Sequence, residues 1–172
     1  TLTTAKINAL IAKTQVAGRT ELFSKSSLIK QSVNKDNLVK NNIKIPCDVM
    51  FDVGHNPHAG RYLANKLAEL KSQHQYHNII AVTAMLADKD IENTLAPFSD
   101  VIDDWYIAPL AVPRAATTKQ MSEALQPFTN SINCFDNITQ AFKMANQTAT
   151  SADLILVFGS FYTVAQIRQL LI

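Results

Sequence analysis

From residue 48 onward, short apolar runs alternate with longer stretches in which apolar residues recur every three or four positions. The runs Val49–Val53, Ile79–Ala84, Asp104–Ala108, Ile132–Phe135 and Leu154–Phe158 are rich in β-branched and aromatic residues and predict strands. Between them the pattern predicts helices at about 57–71, 90–98, 117–126 and 137–149, with another at 160–172. Leu63, Leu67 and Leu70 share one face of the first helix, and Val164, Ile167 and Leu171 share one face of the last. Both stripes are suited to lying on a sheet. Strict alternation of strand and helix predicts an α/β fold: a Rossmann-like, doubly wound, mostly parallel sheet with helices on both faces.

Residues 24–46, "SKSSLIKQSVNKDNLVKNNIKIP", break this rhythm. They are rich in Ser, Asn and Lys, and their few apolar residues keep no period. The segment reads as a surface insertion. At the start, Ile7–Ala12 reads as the end of a helix that begins elsewhere, and the first residue is Thr1, so the chain is read as part of something longer.

Composition narrows the function classes. The 172 residues suffice for one domain, and 47% hydrophobic with 17% charged residues is ordinary for a globular chain. A net charge of +2 with scattered basic residues gives no argument for nucleic acid. No run approaches eighteen apolar residues, so no membrane partner is expected. Cys47 and Cys134 are far apart and form no C-x-x-C pair, which suits a reduced, cytoplasmic setting.

In open α/β sheets, ligands bind beyond the carboxyl ends of the strands. Four predicted strand ends here carry unusual polar residues. In "FDVGHNPHAG", Asn56 is a good N-cap and Pro57 a good first helical residue, so the free N–H groups of the new helix face Asp52 and His55. A carboxylate there can accept two ribose hydroxyls, and the helix end with a histidine favours phosphate. Equally, Asp52 can satisfy the turn while His55 lies at the surface. The second end, "TAMLADKDIENTL", sets Lys89 between Asp88 and Asp90, as an anion contact or as an exposed lysine beside helix-start acids. The third, "APLAVPRAAT", offers Arg114 after Pro113, as an anion contact or a solvated loop residue. The fourth, "VFGSFYTVAQ", offers Ser160 as a helix cap, a carboxylate contact or both. No metal is expected in this chain: His55 and His58 supply two nitrogens, and no Cys or third His nearby completes a zinc set. The four glycines form neither G-x-G-x-x-G nor G-x-x-x-x-G-K-[ST], so a nucleotide can be touched here but its triphosphate is not wrapped here.

Taken in order, "DVGHNPHAGRYLANKL", "AMLADKDIENTL", "VIDDWYIAPLAVPRAAT" and "VFGSFYTVAQ" resemble the carboxyl-terminal domain of bacterial folylpolyglutamate synthase/dihydrofolate synthases of the Mur ligase superfamily. "VAGRTELF" resembles the Gly-Arg junction where that domain begins. The resemblance implies that residues 1–15 are the tail of a preceding central domain and 16–172 the carboxyl-terminal domain. It implies an ATP-dependent ligase that adds L-glutamate to a pteroate or folate carboxylate through an acyl phosphate. Arg19 would contact ATP phosphates, Asp52 the ribose, and His55 would lie near the nucleotide. Lys89 and Ser160 would hold the incoming glutamate, with Arg114 a further anion contact. No catalytic residue is assigned within this chain. Mg2+ would be held by the amino-terminal and central portions of the same polypeptide, the amino-terminal ATPase domain being a partner of this one, and the resemblance suggests a monomer. Gly54 stands where the family often has alanine, and Tyr162 where it often has histidine. Two other readings remain open at this stage: a stand-alone nucleotide- or folate-binding module without catalysis, and a peptidoglycan-precursor ligase of the same superfamily.

Overall fold

The computed structural model describes residues 18–25 and 45–171. The proposed central-domain tail, residues 1–15, and most of the insertion, residues 26–44, lie outside the described residues.

Among the described residues six strands form one sheet in the order β1-β2-β6-β3-β4-β5. They are β1 (Glu21–Phe23), β2 (Asp48–Asp52), β3 (Ile79–Thr83), β4 (Asp104–Ile107), β5 (Ile132–Cys134) and β6 (Leu154–Phe158). β1 runs antiparallel to β2, and every other pairing is parallel. The helices are α1 (Pro57–Ser72), α2 (Ile91–Leu95), α3 (Thr118–Leu125), α4 (Ile138–Thr148) and α5 (Phe161–Leu171).

The path explains the two layers of helices. From β2 through β5 the chain steps in one direction along the sheet, and α1, α2 and α3 cover one face. It then returns to place β6 between β2 and β3, which sends α4 and α5 to the other face. Right-handed crossovers demand this change of face when the direction reverses. Buried strand residues accordingly alternate between two cores. Val49, Phe51, Val82, Ile155 and Val157 pack with Ile138, Phe142, Val164 and Ile167. Met50, Ile79, Ala81, Leu154, Leu156 and Phe158 pack with Leu63, Leu67, Leu95 and Met121. Both leucine and valine–isoleucine stripes anticipated from the sequence are turned inward, with Leu70 and Leu171 at their margins.

Three details differ from the sequence pattern. β1 was not anticipated, because three residues are too few to display a period. The predicted helix at 90–98 is a five-residue α-helix followed by a 3-10 turn at Ala96–Phe98. Pro97 has no N–H to continue the α-helical ladder, so the chain tightens there. At the margin of the insertion, Ile45 is buried in the core rather than on the surface.

α1 approaches α2 very closely at Gly60. A Cβ on Gly60 would lie 2.3 Å from the Thr94 carbonyl oxygen, a backbone atom that cannot swing aside. Helix propensity alone favours Gly→Ala by about 1 kcal/mol. Gly60→Ala is nevertheless expected to destabilise the domain by about 1–3 kcal/mol through overpacking. Urea unfolding measures the sign, and an unchanged or raised midpoint contradicts the close approach.

Candidate functional site

Parallel register aligns the strand ends that carry the unusual polar residues. Asp52 pairs with Phe158, Phe158 with Thr83, and Thr83 with Ile107, so β2, β6, β3 and β4 finish on a common edge. β6 leads into α5 on one face, while its neighbours β2 and β3 lead into α1 and α2 on the other. Connections that part in this way open a crevice at the carboxyl edge.

Asp52 sits at the mouth of that crevice and is only 5% exposed. Its Oδ1 accepts the Gly54 N–H at 2.6 Å, and its Oδ2 accepts the Thr20 N–H at 2.9 Å. The carboxylate thus satisfies the turn, as one of the two sequence readings required. It also keeps acceptor capacity, since a carboxylate offers about four lone-pair sites and two are used among the described residues. The Thr20 bond has a further consequence. It closes the turn Gly18-Arg19-Thr20 over the end of β2, reinforced by the Val53 N–H donating to the Gly18 carbonyl at 2.7 Å. Arg19, exposed at the apex of that turn, is thereby brought beside Asp52 across the intervening insertion.

The stretch after Asp52 forms the predicted helix start. Asn56 is the N-cap, its side chain accepting the Ala59 N–H at 2.9 Å, and Pro57 opens α1. His55 lies half-buried between cap and strand, with Nδ1 2.8 Å from the Val53 carbonyl. A carbonyl only accepts, so Nδ1 carries the proton and Nε2 is the nitrogen left for a ligand. Across the crevice the His55 ring meets Phe161 of α5, centroids 6.3 Å apart.

Lys89 and Arg114 come from different loops and meet around one carboxylate. Asp88 Oδ2 is 3.4 Å from Lys89 Nζ and 3.5 Å from Arg114 Nη1. The loops are laced together: the Ala87 N–H donates to the Arg114 carbonyl, the Ala116 N–H to the Met85 carbonyl, and Leu86 bridges Ala115. Partial desolvation of Asp88 works against its charge, but a hydrogen bond from its own backbone and the two neighbouring cations outweigh this and hold its carboxyl below the usual range. The two cations therefore stand as a pre-assembled pair at the carboxyl edge. Arg114, the more exposed, has about two-thirds (67%) of its side chain open to solvent.

Ser160 is buried, and its Oγ caps α5 by accepting the Thr163 N–H at 3.0 Å. Thr163 Oγ1 donates to the Ala84 carbonyl at 2.8 Å, so the 2.7 Å contact between the two hydroxyls is a Ser160 donation to Thr163. The serine proton is therefore already in use. Ser160 acts first as a cap, and what it presents towards the crevice is the opened N-terminal turn of α5 with the N–H groups such a turn leaves free.

The remaining reactive groups lie elsewhere. Burial pushes the Cys47 thiol up to about 12, against a hydrogen bond with the Ile155 backbone, which removes it as a nucleophile. Among the described residues no three His, Cys, Asp or Glu converge to hold a metal, so the donor set for a divalent ion is not formed by them. No helix of the described residues is long and apolar enough to cross a membrane. Sequence reasoning passed over Asp88 as a bridge, Phe161 as a wall and Thr163 as the relay behind Ser160. For the last of these the Ser-x-x-Thr spacing was a usable signal, because side chains three apart meet in a first helical turn.

Comparison with known proteins joins these observations. The model of the Mur ligase, glutamate ligase domain matches residues 38–161. A dihydrofolate synthase/folylpolyglutamate synthase of Escherichia coli K12 is 43% identical over 123 residues, covering 72% of this chain and 28% of that protein. The chain thus spans little more than a quarter of the length of such curated relatives, 28% in this instance. Escherichia coli FolC in complex with DHPP and ADP superposes with a TM-score of 0.73 at 36% identity, over 97% of this chain and 34% of that one. A bifunctional folylpolyglutamate synthase/dihydrofolate synthase with Mn, AMPPNP and L-glutamate bound superposes with a TM-score of 0.70 at 34% identity, over 91% and 32%. The chain therefore belongs to the family of the Mur ligase glutamate ligase domain.

Proposed function

We propose that this chain is the ATP- and glutamate-contacting domain of a cytoplasmic ligase that joins L-glutamate to dihydropteroate or folate. The observation that carries the reading is the Gly18–Thr20 turn clamped onto Asp52, which brings Arg19 and a carboxylate to one carboxyl edge. The relatives support the substrate class, since solved ones hold ADP with DHPP, or AMPPNP with L-glutamate.

In this reading Arg19 neutralises ATP phosphates, and Asp52 uses its remaining lone pairs for the ribose hydroxyls. His55 borders the nucleotide through Nε2. Lys89, steadied by Asp88, pairs with a glutamate carboxylate, and the N-terminus of α5 behind Ser160 faces the same anion. Arg114 adds positive charge beside Lys89. The reaction has two displacements. A substrate carboxylate oxygen attacks the γ-phosphorus and ADP leaves; the glutamate amine then attacks the acyl carbon, a proton is lost, and phosphate leaves. Arg19, Lys89 and Arg114 favour both steps by binding charge and fixing orientation. A divalent ion would complete the phosphate site from residues of the ATPase portion.

Two assays test the proposal. The complete ligase carrying this domain should release phosphate only when ATP, pteroate or folate, and glutamate are all present. In it Lys89→Ala should raise KM for glutamate by roughly 10–100-fold, the loss of one charge-assisted contact, with KM for ATP nearly unchanged. The 172-residue chain alone, which contains no G-x-x-x-x-G-K-[ST] loop, should release none. Phosphate release that ignores glutamate would favour a nucleotide-binding module instead.

A further inference from the structure

The turn that carries Arg19 is held on its far side by a second device. Glu21, the first residue of β1, accepts the Gly18 N–H on Oε2 at 2.8 Å. Its Oε1 meets Arg168 Nη2 at 3.1 Å, and the glutamate side chain is only 13% exposed. Arg168 belongs to α5, where its guanidinium also lies over the Phe23 ring at 5.7 Å. Its Nε is buried with no hydrogen-bond partner among the described residues, and among them the pairing with Glu21 is its principal polar anchor.

The turn needs such holding. Gly18 and Thr20 both have positive φ, 72° and 43°, and for threonine that conformation is strained. Asp52 fixes one end through the Thr20 N–H, and Glu21 fixes the other through the Gly18 N–H. Arg19 lies between the two anchors. Remove the Glu21 anchor and the apex is free to relax, although no contact of Arg19 itself is lost.

We propose that Glu21, locked by Arg168, is a positioning residue that aims Arg19 at the nucleotide and ties that aim to helix α5. The inference rests on Arg19 being a phosphate contact. It assigns Glu21 no contact with any substrate.

A double-mutant cycle in the complete ligase tests it, with KM for ATP, KM for glutamate and the unfolding temperature measured for each variant. Arg19→Ala should raise KM for ATP roughly tenfold or more, as expected for a lost charged contact. Glu21→Ala should raise it several-fold, leaving KM for glutamate within about twofold. On the Arg19→Ala background the Glu21 change should add nothing, because its effect runs through Arg19. Glu21→Gln keeps an acceptor for Gly18 and loses only the charge facing Arg168, so if Glu21→Ala does not accumulate it should raise KM for ATP by a smaller factor that likewise vanishes on the Arg19→Ala background. Independent, multiplying effects would reduce Glu21 to a stabilising residue and overturn the inference. An Arg19→Ala enzyme with normal KM for ATP would instead remove the phosphate contact, and the positioning role with it.

Discussion

Gly159→Ala should destabilise the domain by about 2–5 kcal/mol, an effect larger than that of Gly60→Ala. Gly159 has φ of 109°, a conformation that costs a side-chain-bearing residue about 1–3 kcal/mol. The added Cβ would also lie 2.6 Å from Thr83 Oγ1 and 2.9 Å from the Ala84 carbonyl oxygen. Neither neighbour is free to give. Thr83 Oγ1 donates to the Phe158 carbonyl at 2.9 Å, and the Ala84 carbonyl accepts the Thr163 hydroxyl. Relieving the clash would pull apart the bonds that seat the start of α5 against β3. Against a typical domain stability of about 5–15 kcal/mol this is a large fraction. Denaturant unfolding of the domain measures it. A loss below about 0.5 kcal/mol, the range of an ordinary surface change, contradicts the geometry.

The sequence was readable where local rules act. The cap at Asn56-Pro57 and the strands of the central sheet follow from local rules, a side chain reaching three residues ahead and apolar runs between turn signals. They stand as the sequence predicted. The carboxyl-edge location of the site follows from strand–helix alternation for the same reason. What local rules do not contain is closure over distance. Thr20 and Asp52 are 32 positions apart, and Glu21 and Arg168 are 147 apart. No period in β1 announces either bond, since Glu21–Phe23 exists as a strand only by pairing with β2. Asp88 reads as a helix-start acid in the sequence and becomes a bridge only when two loops are laced together. For Ser160 the sequence offers a cap, a carboxylate contact or both, and the structure shows the cap, with its proton donated to Thr163.

Asp52→Ala in the complete ligase should combine a large functional loss with a structural one. Two effects should appear together. The Thr20 and Gly54 N–H groups would lose their acceptor at a nearly buried position, costing about 1–3 kcal/mol for each donor left unpaired. A drop in unfolding temperature is therefore expected whether or not Asp52 touches a ligand. ATP use should fall as well, by roughly 10–100-fold in kcat/KM, the worth of a charged acceptor of about 1.5–3 kcal/mol. Part of this loss would follow from the loosened Arg19 turn and would not depend on the sugar.

The sugar separates the two contributions. The decisive measurement is kcat/KM for ATP and for 2′,3′-dideoxy-ATP, in the wild-type ligase and in Asp52→Ala. If the free lone pairs of Asp52 hold the ribose hydroxyls, the wild type should prefer ATP clearly, and the variant should lose most of that preference. His55→Ala, which borders the nucleotide without reading the sugar, should penalise both alike. If Asp52→Ala lowers kcat/KM for ATP and for the dideoxy analogue by the same factor, Asp52 only closes the turn, and its assignment to the ribose is contradicted.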